Sequence, residues 1–406
     1  MSKTPFFIRV ARPTYGKWLL RHDHVETAGY EMIPTGGPFL LLANHTHVLD
    51  PFYISSSLPV HIRWVAGAYL FKNQFLKTLL GSWIGGIAKQ QGRSDLQTIR
   101  DISAALKRGE SVGLFPEGTR TWDGEPLGFD EATAKLARMF KVPVVLLNLE
   151  GTYALKPRWA LKRRKGSMTI RVVKVLQPEE LAPLSVPKIL GLLREHLDFS
   201  FSRWQATRRK PYRSRKQSEG LEKLLYLCPS CSQASVITTR GDEVGCTACD
   251  LRFRLDAYDE LHLLSGNPNG IASIPQWHEW EKHHLHTIAR QDKFLFPADP
   301  GVLLQCGVDG KLITLSKRFS VSLGQEEMTI RFPAVVPTGM LRGMSSLVFG
   351  FSDMQSMIIN AKGTVEFFHA DQLWRVRIAA DRSILKYVEW YDEYKNSRMH
   401  PGEGIS

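Results

Sequence analysis

Acidic side chains are scarce relative to basic ones in this sequence. Its 406 residues include 40 Asp and Glu against 53 Lys and Arg, which gives a formal net charge of +13 at pH 7. Such an excess indicates an anionic partner, either a membrane surface or a nucleic acid, and a solvated basic surface without a partner is the third interpretation. The hydrophobic fraction of 43% excludes a disordered chain, and the length predicts two or three domains.

Long apolar runs are also missing. No stretch reaches the roughly 18 to 20 apolar residues of a spanning helix, and the opening MSKTPFFIRVARPTYGKWLLR lacks the continuous apolar core of a secretory signal. We therefore expect a cytoplasmic protein that is peripherally bound to the inner face of the membrane. Residues 68–88, AYLFKNQFLKTLLGSWIGGIA, have apolar side chains near helical spacing, which is typical of an interfacial amphipathic helix and equally of a helix packed on a core.

Cysteine is rare, and four of the five cysteines are paired in sequence. They form two C-x-x-C motifs separated by fourteen residues: Cys228, Cys231, Cys246 and Cys249. This spacing predicts a structural zinc site with four thiolate ligands, which leaves no open position for catalysis. Two disulfides or four unrelated thiols are the alternatives, and a cytosolic location disfavours disulfides.

Strand-like and helix-like segments alternate over residues 1–202. FLLLAN, SVGLFPEG, VPVVLLNLEG and MTIRVVKVL are predicted strands, and DLQTIRDISAALKRGE and EATAKLARMF are predicted helices. This alternation predicts an α/β domain with a mixed, mostly parallel sheet. Residues 203–222 are strongly basic and almost free of apolar side chains, so we predict a linker there.

Three further segments follow the predicted linker. Residues 223–256 contain the four paired cysteines and form the predicted zinc ribbon, and residues 257–298 form a predicted helical connector. Residues 299–398 contain short alternating strands and then one amphipathic helix, which resembles in topology an α+β pleckstrin-homology-like barrel. Domains of that fold bind lipid head groups or proteins, and the fold alone does not decide between them.

The segment LLANHTHVLDPFY places a histidine and an aspartate at the end of an apolar strand. Asn44 and His45 follow the strand at its carboxyl end, where sites in α/β sheets usually lie, and Asp50 comes after four intervening residues. A neutral imidazole accepts a proton from a hydroxyl group, and a carboxylate on its other nitrogen supports this role. No serine or cysteine adjoins the pair, so the pattern favours direct attack by a substrate hydroxyl. An ordinary turn with a His–Asp hydrogen bond is the alternative.

Three more segments supply positive charge, exposed backbone amides or an apolar strand. LFPEGTRTWDGEPLGF presents Glu117, Gly118, Thr119 and Arg120. An arginine binds phosphate bidentately, and a turn containing glycine exposes N–H groups to an anion. GGIAKQQGR adds Lys89 and Arg93, and VPVVLLNLEGTY adds a strand and a loop. A charged surface turn is the alternative for the first of these segments taken alone.

Together, the blocks NHTHVLD, GGIAKQQGR, FPEGTR and VPVVLLNLEG resemble the glycerolipid acyltransferase superfamily, the family of bacterial 1-acylglycerol-3-phosphate acyltransferase. The resemblance covers residues 10–185. It implies transfer of an acyl chain from acyl-CoA or acyl carrier protein to the hydroxyl of a lysophospholipid or related lipid, in phospholipid biosynthesis or remodelling. It also implies that His45 is the general base and that Asp50 orients it. By the same resemblance, acceptor binding or the shape of the site involves Asn44, Lys89, Arg93, Glu117, Gly118, Thr119 and Arg120.

The sequence departs from the family pattern in two places. Gln90 and Gln91 stand where the second block usually has an arginine, although basic residues flank them. Asp130 and Glu131 follow the third block, where the family commonly has a basic run. Both departures remove positive charge where an acceptor phosphate would sit. We therefore expect an acceptor with less negative charge, or one bound in a different pose.

Two non-enzymatic alternatives remain. The N-terminal domain would be catalytically retired, either in a zinc-ribbon protein that binds nucleic acid or in an adaptor that recruits a partner to the membrane. The intact pair of His45 and Asp50 argues against the first, as does the shortage of aromatic residues for base stacking in the basic segment. We therefore expect an enzyme whose partners are anionic lipids of the membrane surface, a lysolipid and an acyl donor, and we do not expect nucleic acid.

Overall fold

The structure, a computed structural model, describes residues 4–67, 85–89, 96–289, 296–309, 311–336, 339–360 and 363–399. It divides the chain into two compact units. The first unit is Met1–Arg158 with Lys162–Ser214, and the second is Trp159–Leu161 with Arg215–Ser406. A search of the described ranges finds no helix with the length and apolar character needed to cross a membrane.

Strands and helices alternate along the first unit. Its strands are β1 (Val25–Ala28), β2 (Leu40–Ala43), β3 (Ile62–Gly67), β4 (Ile87–Lys89), β5 (Ser111–Leu114), β6 (Val144–Glu150) and β7 (Met168–Leu176). Its described α-helices are α1 (Phe6–Ala11), α2 (Lys17–His22), α3 (Asp50–Ser57), α4 (Leu96–Lys107), α5 (Glu131–Met139), α6 (Thr152–Leu155), α7 (Pro178–Leu181), α8 (Val186–Leu197) and α9 (Phe201–Arg208). A π-helical stretch, Arg12–Gly16, joins α1 to α2, and Tyr30–Met32 is a short 3-10 helix.

These strands form one sheet in the order β1-β7-β6-β2-β5-β3-β4. Every neighbouring pair is parallel except β6 with β7, which confirms the predicted mixed, mostly parallel sheet. Strand β2 is central and completely buried. Leu41 and Ala43 pack into one hydrophobic core, and Leu40 and Leu42 pack into the other, because successive side chains of a strand point to opposite faces.

Part of the segment predicted to be a basic linker lies in the first unit. Residues 201–208 form α9, and Trp204 and Tyr212 are buried in the core that also contains Leu41. The Tyr212 hydroxyl donates to the Ser167 carbonyl at 2.8 Å. The surrounding basic side chains give this segment the composition of a linker, whereas two aromatic side chains determine where it packs.

The described residues of the second unit form two antiparallel sheets and two long helices. Its first sheet has the order β11-β10-β9-β8 and consists of β8 (Ile237–Arg240), β9 (Glu243–Cys246), β10 (Arg252–Leu255) and β11 (Leu261–Ser265). Helix α10 (Ile274–Ala289) follows. The predicted helical connector therefore begins as a strand, because residues 261–265 pair with β10, and becomes helical only from Ile274.

The second sheet fills most of the C-terminal region. It has the order β16-β15-β14-β12-β19-β18-β17, with β13 paired to β12. Its strands are β12 (Asp299–Val308), β13 (Lys311–Ser316), β14 (Phe319–Leu323), β15 (Glu327–Arg331), β16 (Ser346–Gly350), β17 (Met354–Ile359), β18 (Val365–His369) and β19 (Gln372–Ile378), and α11 (Leu385–Met399) follows. Short 3-10 helices lie at Leu221–Lys223 and Phe351–Asp353. The predicted run of strands before one helix is present, and the pleckstrin-homology-like barrel stays a prediction.

Candidate active site

The carboxyl ends of β2 and β5 bring the first and third sequence blocks together. These strands are parallel neighbours, so the residues that follow them leave the sheet at the same edge. The His45 N–H donates to Glu117 Oε1 at 2.8 Å, although 72 positions separate the two residues. The Thr121 N–H donates to the His45 carbonyl at 3.1 Å. Two blocks that are distant in sequence thus form one local structure.

His45 and Asp50 form the predicted pair. His45 Nδ1 lies 2.9 Å from Asp50 Oδ2, and the aspartate is fully buried whereas the imidazole is 19% exposed. Asp50 is the first residue of α3, and its Oδ2 also accepts the N–H groups of Thr46 at 2.8 Å and His47 at 2.7 Å. In the tautomer whose Nδ1–H donates to Asp50, Nε2 is the ring nitrogen that can accept a proton.

Two aromatic side chains stack beside the imidazole. The ring centroids of His45 and Phe115 are 4.1 Å apart with an interplanar angle of 15°. Phe115 in turn stacks on Trp64 at 4.9 Å and 9°. The sequence analysis missed this arrangement, because it depends on which strands become neighbours. Its available signal was the aromatic residue directly before the Pro-Glu-Gly turn.

Glu117 bridges two backbone segments. Its Oε1 accepts the His45 N–H, and its Oε2 accepts the Leu127 N–H at 3.1 Å. Burial raises the pKa of Glu117 to about 7, and the two N–H donors oppose part of this rise because they stabilise the ionised form. Since backbone groups occupy both carboxylate oxygens, this geometry favours shaping of the site over direct contact with an acceptor.

The turn after Glu117 is supported by an arginine outside the four blocks. Gly118 has φ +70°, in the left-handed region that favours glycine. Arg158 Nη1 donates to Thr119 Oγ1 at 3.3 Å and to the Arg120 carbonyl at 3.1 Å, and its guanidinium lies 4.4 Å from the ring centroid of Trp122. The sequence analysis missed Arg158, whose available signal was its place in the basic run KPRWALKRRK.

The remaining predicted site residues are farther from this turn or outside the described ranges. Asn44 is 3% exposed, and its Oδ1 accepts the Leu149 N–H of β6 at 2.8 Å, so its side chain ties β2 to β6. Lys89 is exposed at the end of β4, the edge strand. Arg93 lies outside the described residues, as does most of the predicted amphipathic helix at 68–88.

The acidic departure from the family pattern forms the start of a helix. Asp130 is the N-cap of α5, and its Oδ1 accepts the Ala132 N–H at 2.9 Å. Glu131 Oε2 lies 3.1 Å from Lys135 Nζ. Both acidic side chains are exposed. Capping and an i, i+4 ion pair therefore account for these residues without a role in the site.

A buried polar network anchors α3, the helix that begins with Asp50. The Tyr53 hydroxyl donates to Asp23 Oδ2 at 2.6 Å and accepts from Arg163 Nη2 at 2.7 Å. The neighbouring His47 is also buried, which lowers its pKa to about 4, and its Nδ1 accepts a backbone N–H at 3.0 Å. His47 is thus neutral at physiological pH and structural in its contacts.

The four paired cysteines converge in the second unit. Their Sγ atoms all lie within 4.8 Å of one another, with 3.7 Å between Cys228 and Cys249 and 3.8 Å between Cys231 and Cys246. All four are free thiols. A tetrahedron with Zn–S bonds of about 2.3 Å has edges of about 3.8 Å, so the donor set fits a zinc ion.

Comparison with known proteins agrees with the resemblance seen in the sequence blocks. The acyltransferase family model matches residues 24–170. The chain is 27% identical to 1-acyl-sn-glycerol-3-phosphate acyltransferase of Bacillus subtilis, over 43% of this chain and 84% of that protein. It is 26% identical to human 1-acyl-sn-glycerol-3-phosphate acyltransferase alpha, over 43% of this chain and 62% of that protein.

The match reaches only part of several relatives, including 54% of the Saccharomyces cerevisiae 1-acyl-sn-glycerol-3-phosphate acyltransferase. Among solved structures, the 1-acyl-sn-glycerophosphate acyltransferase PlsC of Thermotoga maritima aligns with a TM-score of 0.40 and 23% identity, over 47% of this chain and 79% of that chain. The residues that the family model matches, 24–170, contain all four sequence blocks, which supports their assignment to the glycerolipid acyltransferase superfamily.

Proposed function

We propose that the protein transfers an acyl chain from a thioester donor, acyl-CoA or acyl carrier protein, to the hydroxyl group of a lysophospholipid or related lipid. The observation that carries this proposal is the buried Asp50 bonded to the partly exposed His45, within a domain of the acyltransferase family. The relatives are named for acylating 1-acyl-glycerol-3-phosphate, which makes that lipid the first acceptor to test.

In the proposed reaction, His45 Nε2 takes the proton of the acceptor hydroxyl while that oxygen attacks the thioester carbonyl carbon. The new C–O bond gives a tetrahedral intermediate. When the intermediate collapses, the C–S bond breaks and the thiolate leaves with the proton returned by the imidazolium. The charge on Asp50 stabilises the imidazolium and holds the ring through Nδ1. In this proposed mechanism, no covalent bond forms between the protein and the acyl chain.

Basic side chains near the third sequence block bear on the charge of the acceptor head group. Arg158 brings a guanidinium group to the turn that follows Glu117, and Arg120 is itself a residue of that turn, which supports an anionic head group. The expectation of a less charged acceptor rested on two departures, and Asp130 has a capping role instead. Comparing turnover of lysophosphatidic acid with that of lysophosphatidylcholine and monoacylglycerol decides the matter, and clear preference for the first contradicts the expectation.

We also propose that the N-terminal helices place the enzyme on an anionic membrane surface. Phe6 is 75% exposed and Trp18 is 55% exposed, and exposed basic side chains, including Arg9 and Lys17, lie among them. This combination is typical of an interfacial helix. Trp18→Ser is expected to reduce pelleting with phosphatidylglycerol vesicles, whereas Met139→Ser, the same kind of change at an exposed site of α5, leaves pelleting unchanged. Equal pelleting of both variants would contradict this placement.

For the second unit we propose one structural zinc ion held by Cys228, Cys231, Cys246 and Cys249. When bound, the ion supplies cross-links between the two knuckles and no catalytic chemistry, because thiolates fill all four positions. Elemental analysis of the purified protein should give one zinc per chain. A variant in which the four cysteines are changed to serine is the control and should contain no zinc. Absence of zinc from the wild-type protein as well would contradict the proposal.

The decisive experiment compares the purified protein with His45→Ala, using labelled acyl-CoA, acyl carrier protein loaded with the same chain, and a panel of lysolipids. We expect product from the wild type and a loss of about 10² to 10⁴-fold in His45→Ala. Equal activity of the two proteins would exclude His45 as the base. Absence of product with both donors would contradict the proposed function, and binding to nucleic acid without binding to vesicles would then favour the alternative of a retired enzyme.

A further inference from the structure

Three rings lie face to face beside the carboxyl ends of β2 and β5. Trp64 belongs to β3, Phe115 follows β5 and His45 follows β2, and these strands are adjacent in the order β2-β5-β3. Neighbouring strands are about 4.8 Å apart. The centroid separations of 4.1 Å and 4.9 Å are close to that spacing, so the sheet itself sets the distance at which these rings stack.

A glycine provides the space that the stacked rings of Trp64, Phe115 and His45 require. Gly113 of β5 pairs with Trp64 of β3, and a Cβ at Gly113 would lie 2.7 Å from the indole Cζ3. That distance is shorter than van der Waals contact allows, so only glycine lets the indole lie over β5. The requirement here is for space, because the backbone of Gly113 is not in the left-handed region.

Trp64, at the end of the stack opposite His45, is fixed to the helix that carries Asp50. The Trp64 Nε1–H donates to Ser55 Oγ of α3 at 2.8 Å, and the indole is 5% exposed. The same helix begins with Asp50, whose carboxylate holds His45 Nδ1. The imidazole is therefore fixed at one edge by a hydrogen bond from α3 and over one face by rings that α3 also anchors.

A hydrogen bond at Nδ1 alone leaves the imidazole free to tilt about the line that joins Nδ1 to the carboxylate. Contact with the flat face of Phe115 removes that freedom, which fixes the direction of Nε2. The face of a benzene ring also carries negative electrostatic potential, so it attracts the imidazolium that forms when His45 accepts a proton. Both effects would act on the proton-transfer step and not on acceptor binding.

We propose that Phe115 is a positioning residue for His45, which orients Nε2 towards the acceptor hydroxyl and supports the imidazolium; this rests on the proposed function, in which His45 is the base. Replacement by an aliphatic side chain should therefore lower kcat and leave KM almost unchanged. Replacement by another flat ring should preserve kcat.

The test compares Phe115→Leu with Phe115→Tyr and with Phe140→Leu, which makes the same change at a partly buried ring that packs in the other core. We expect kcat to fall about tenfold in Phe115→Leu, with KM for both substrates within twofold of wild type. Phe115→Tyr should stay within threefold of the wild-type kcat, and Phe140→Leu should keep the wild-type value. An unchanged kcat in Phe115→Leu, or an equal loss in Phe140→Leu, would overturn the proposal.

A second measurement needs no substrate. The Phe115 ring current should shift the C–H proton resonances of the His45 ring upfield, and His45→Gln identifies those resonances by their disappearance. The upfield shift should vanish in Phe115→Leu and persist in Phe115→Tyr. If the shift is absent from the wild type, the stack and the positioning role are both wrong. If the shift is present but no donor or acceptor gives product, the proposed function is wrong, and the positioning role is overturned with it.

Discussion

Asp50 has hydrogen-bond partners in addition to His45, the residue with which the sequence pairs it. Its Oδ2 accepts three donors, from the His45 ring and from two backbone N–H groups of the same loop. One carboxylate thus fixes both the loop and the imidazole of His45. Its negative charge and its shape can be separated by a substitution that keeps an oxygen at the same position.

Asp50→Asn is expected to lower kcat by about 10² to 10⁴-fold while KM changes little, because the amide oxygen still accepts the three donors but no longer stabilises the imidazolium. Steady-state kinetics with each substrate varied in turn measure the separate effects on kcat and KM. Asp130→Asn is the matched control, since it makes the same change at an exposed helix cap and should leave both constants unchanged. A wild-type kcat in Asp50→Asn would remove the aspartate from the proposed mechanism.

Glu117 should make the stability of the protein depend on pH. Its pKa in the folded protein, about 7, lies above its ordinary value of 4.5 because burial penalises the ionised form. The folded state therefore holds the proton of Glu117 more tightly than the unfolded state. The resulting contribution to the free energy of unfolding is fully present below about pH 4.5 and is lost as the pH rises through about 7.

Relative to Glu117→Gln, which does not ionise, the wild type should lose on the order of 1 to 3 kcal/mol of unfolding free energy between about pH 4.5 and pH 8. Urea titrations of both proteins at several pH values measure the difference. Parallel pH profiles would show that Glu117 is not perturbed in this way. Glu125→Gln, at a nearby acidic position of the same loop, serves as the control and should follow the wild type.

Individual residues differ in how far the sequence reveals them. His45 and Asp50 could be paired in advance because a short loop limits how far apart they can lie. The contacts of Glu117 and Phe115 could not, because they depend on β2 and β5 becoming neighbours. Asn44 stood in the right block, yet its amide bonds a backbone N–H of β6, which the local sequence cannot indicate.

At the scale of helices and strands, α5 gives the clearest separation of structural and functional roles. Asp130 caps its first turn, where the backbone N–H groups lack partners within the helix. The family comparison in sequence treated this residue as a loss of positive charge from the site. The structure gives it a local partner, which leads to opposite expectations for stability and activity.

Asp130→Ala is expected to cost about 1 kcal/mol of unfolding free energy, the usual effect of removing an N-cap side chain, and to leave the ratio of turnover between lysophosphatidic acid and uncharged acceptors unchanged. Chemical denaturation and the acceptor panel give the two numbers. Asp130→Ser should retain the cap and most of the stability. A shift of preference towards lysophosphatidic acid in Asp130→Ala would instead support the sequence-based expectation that Asp130 lowers the positive charge where an acceptor phosphate would sit.

Element order was predictable where the pattern was strong, as in the mostly parallel sheet of the first unit. The errors lie where composition and packing disagree. Residues 203–222 contain seven Lys or Arg, but Trp204 and Tyr212 hold part of the segment in the first unit. Residues 261–265 have no marked strand signal of their own and become a strand because β10 offers them an edge.

At the scale of the whole molecule, the cysteine cluster belongs to a unit with its own buried polar contacts. Glu281 of α10 accepts the N–H groups of Tyr226 and Leu227 at 2.6 Å each, directly before the first cysteine. The Trp277 indole donates to the Leu227 carbonyl at 2.9 Å. Helix α10 therefore supports the first C-x-x-C motif, whereas Cys246 of the second motif lies in β9, which pairs with β8 and β10.

Removal of zinc with a strong chelator is expected to lower the unfolding temperature of the second unit and to make residues 228–231 and 246–249 more susceptible to protease, because the metal would no longer link the two C-x-x-C motifs. Calorimetry and limited proteolysis with mass spectrometry measure the two effects. Added zinc should reverse both. An unchanged thermogram and cleavage pattern after chelation would argue against a structural metal.

The hydrogen bond between the His45 backbone and Glu117 also limits where the sequences of related proteins can be joined into chimeras. It ties together two loops that 72 positions separate, so a crossover between them would join a histidine loop from one parent to a glutamate turn from another. The conformations of the two loops depend on each other, so a mismatch would shift His45. Chimeras among relatives should therefore inherit both loops from the same parent, whatever the origin of the chain between them.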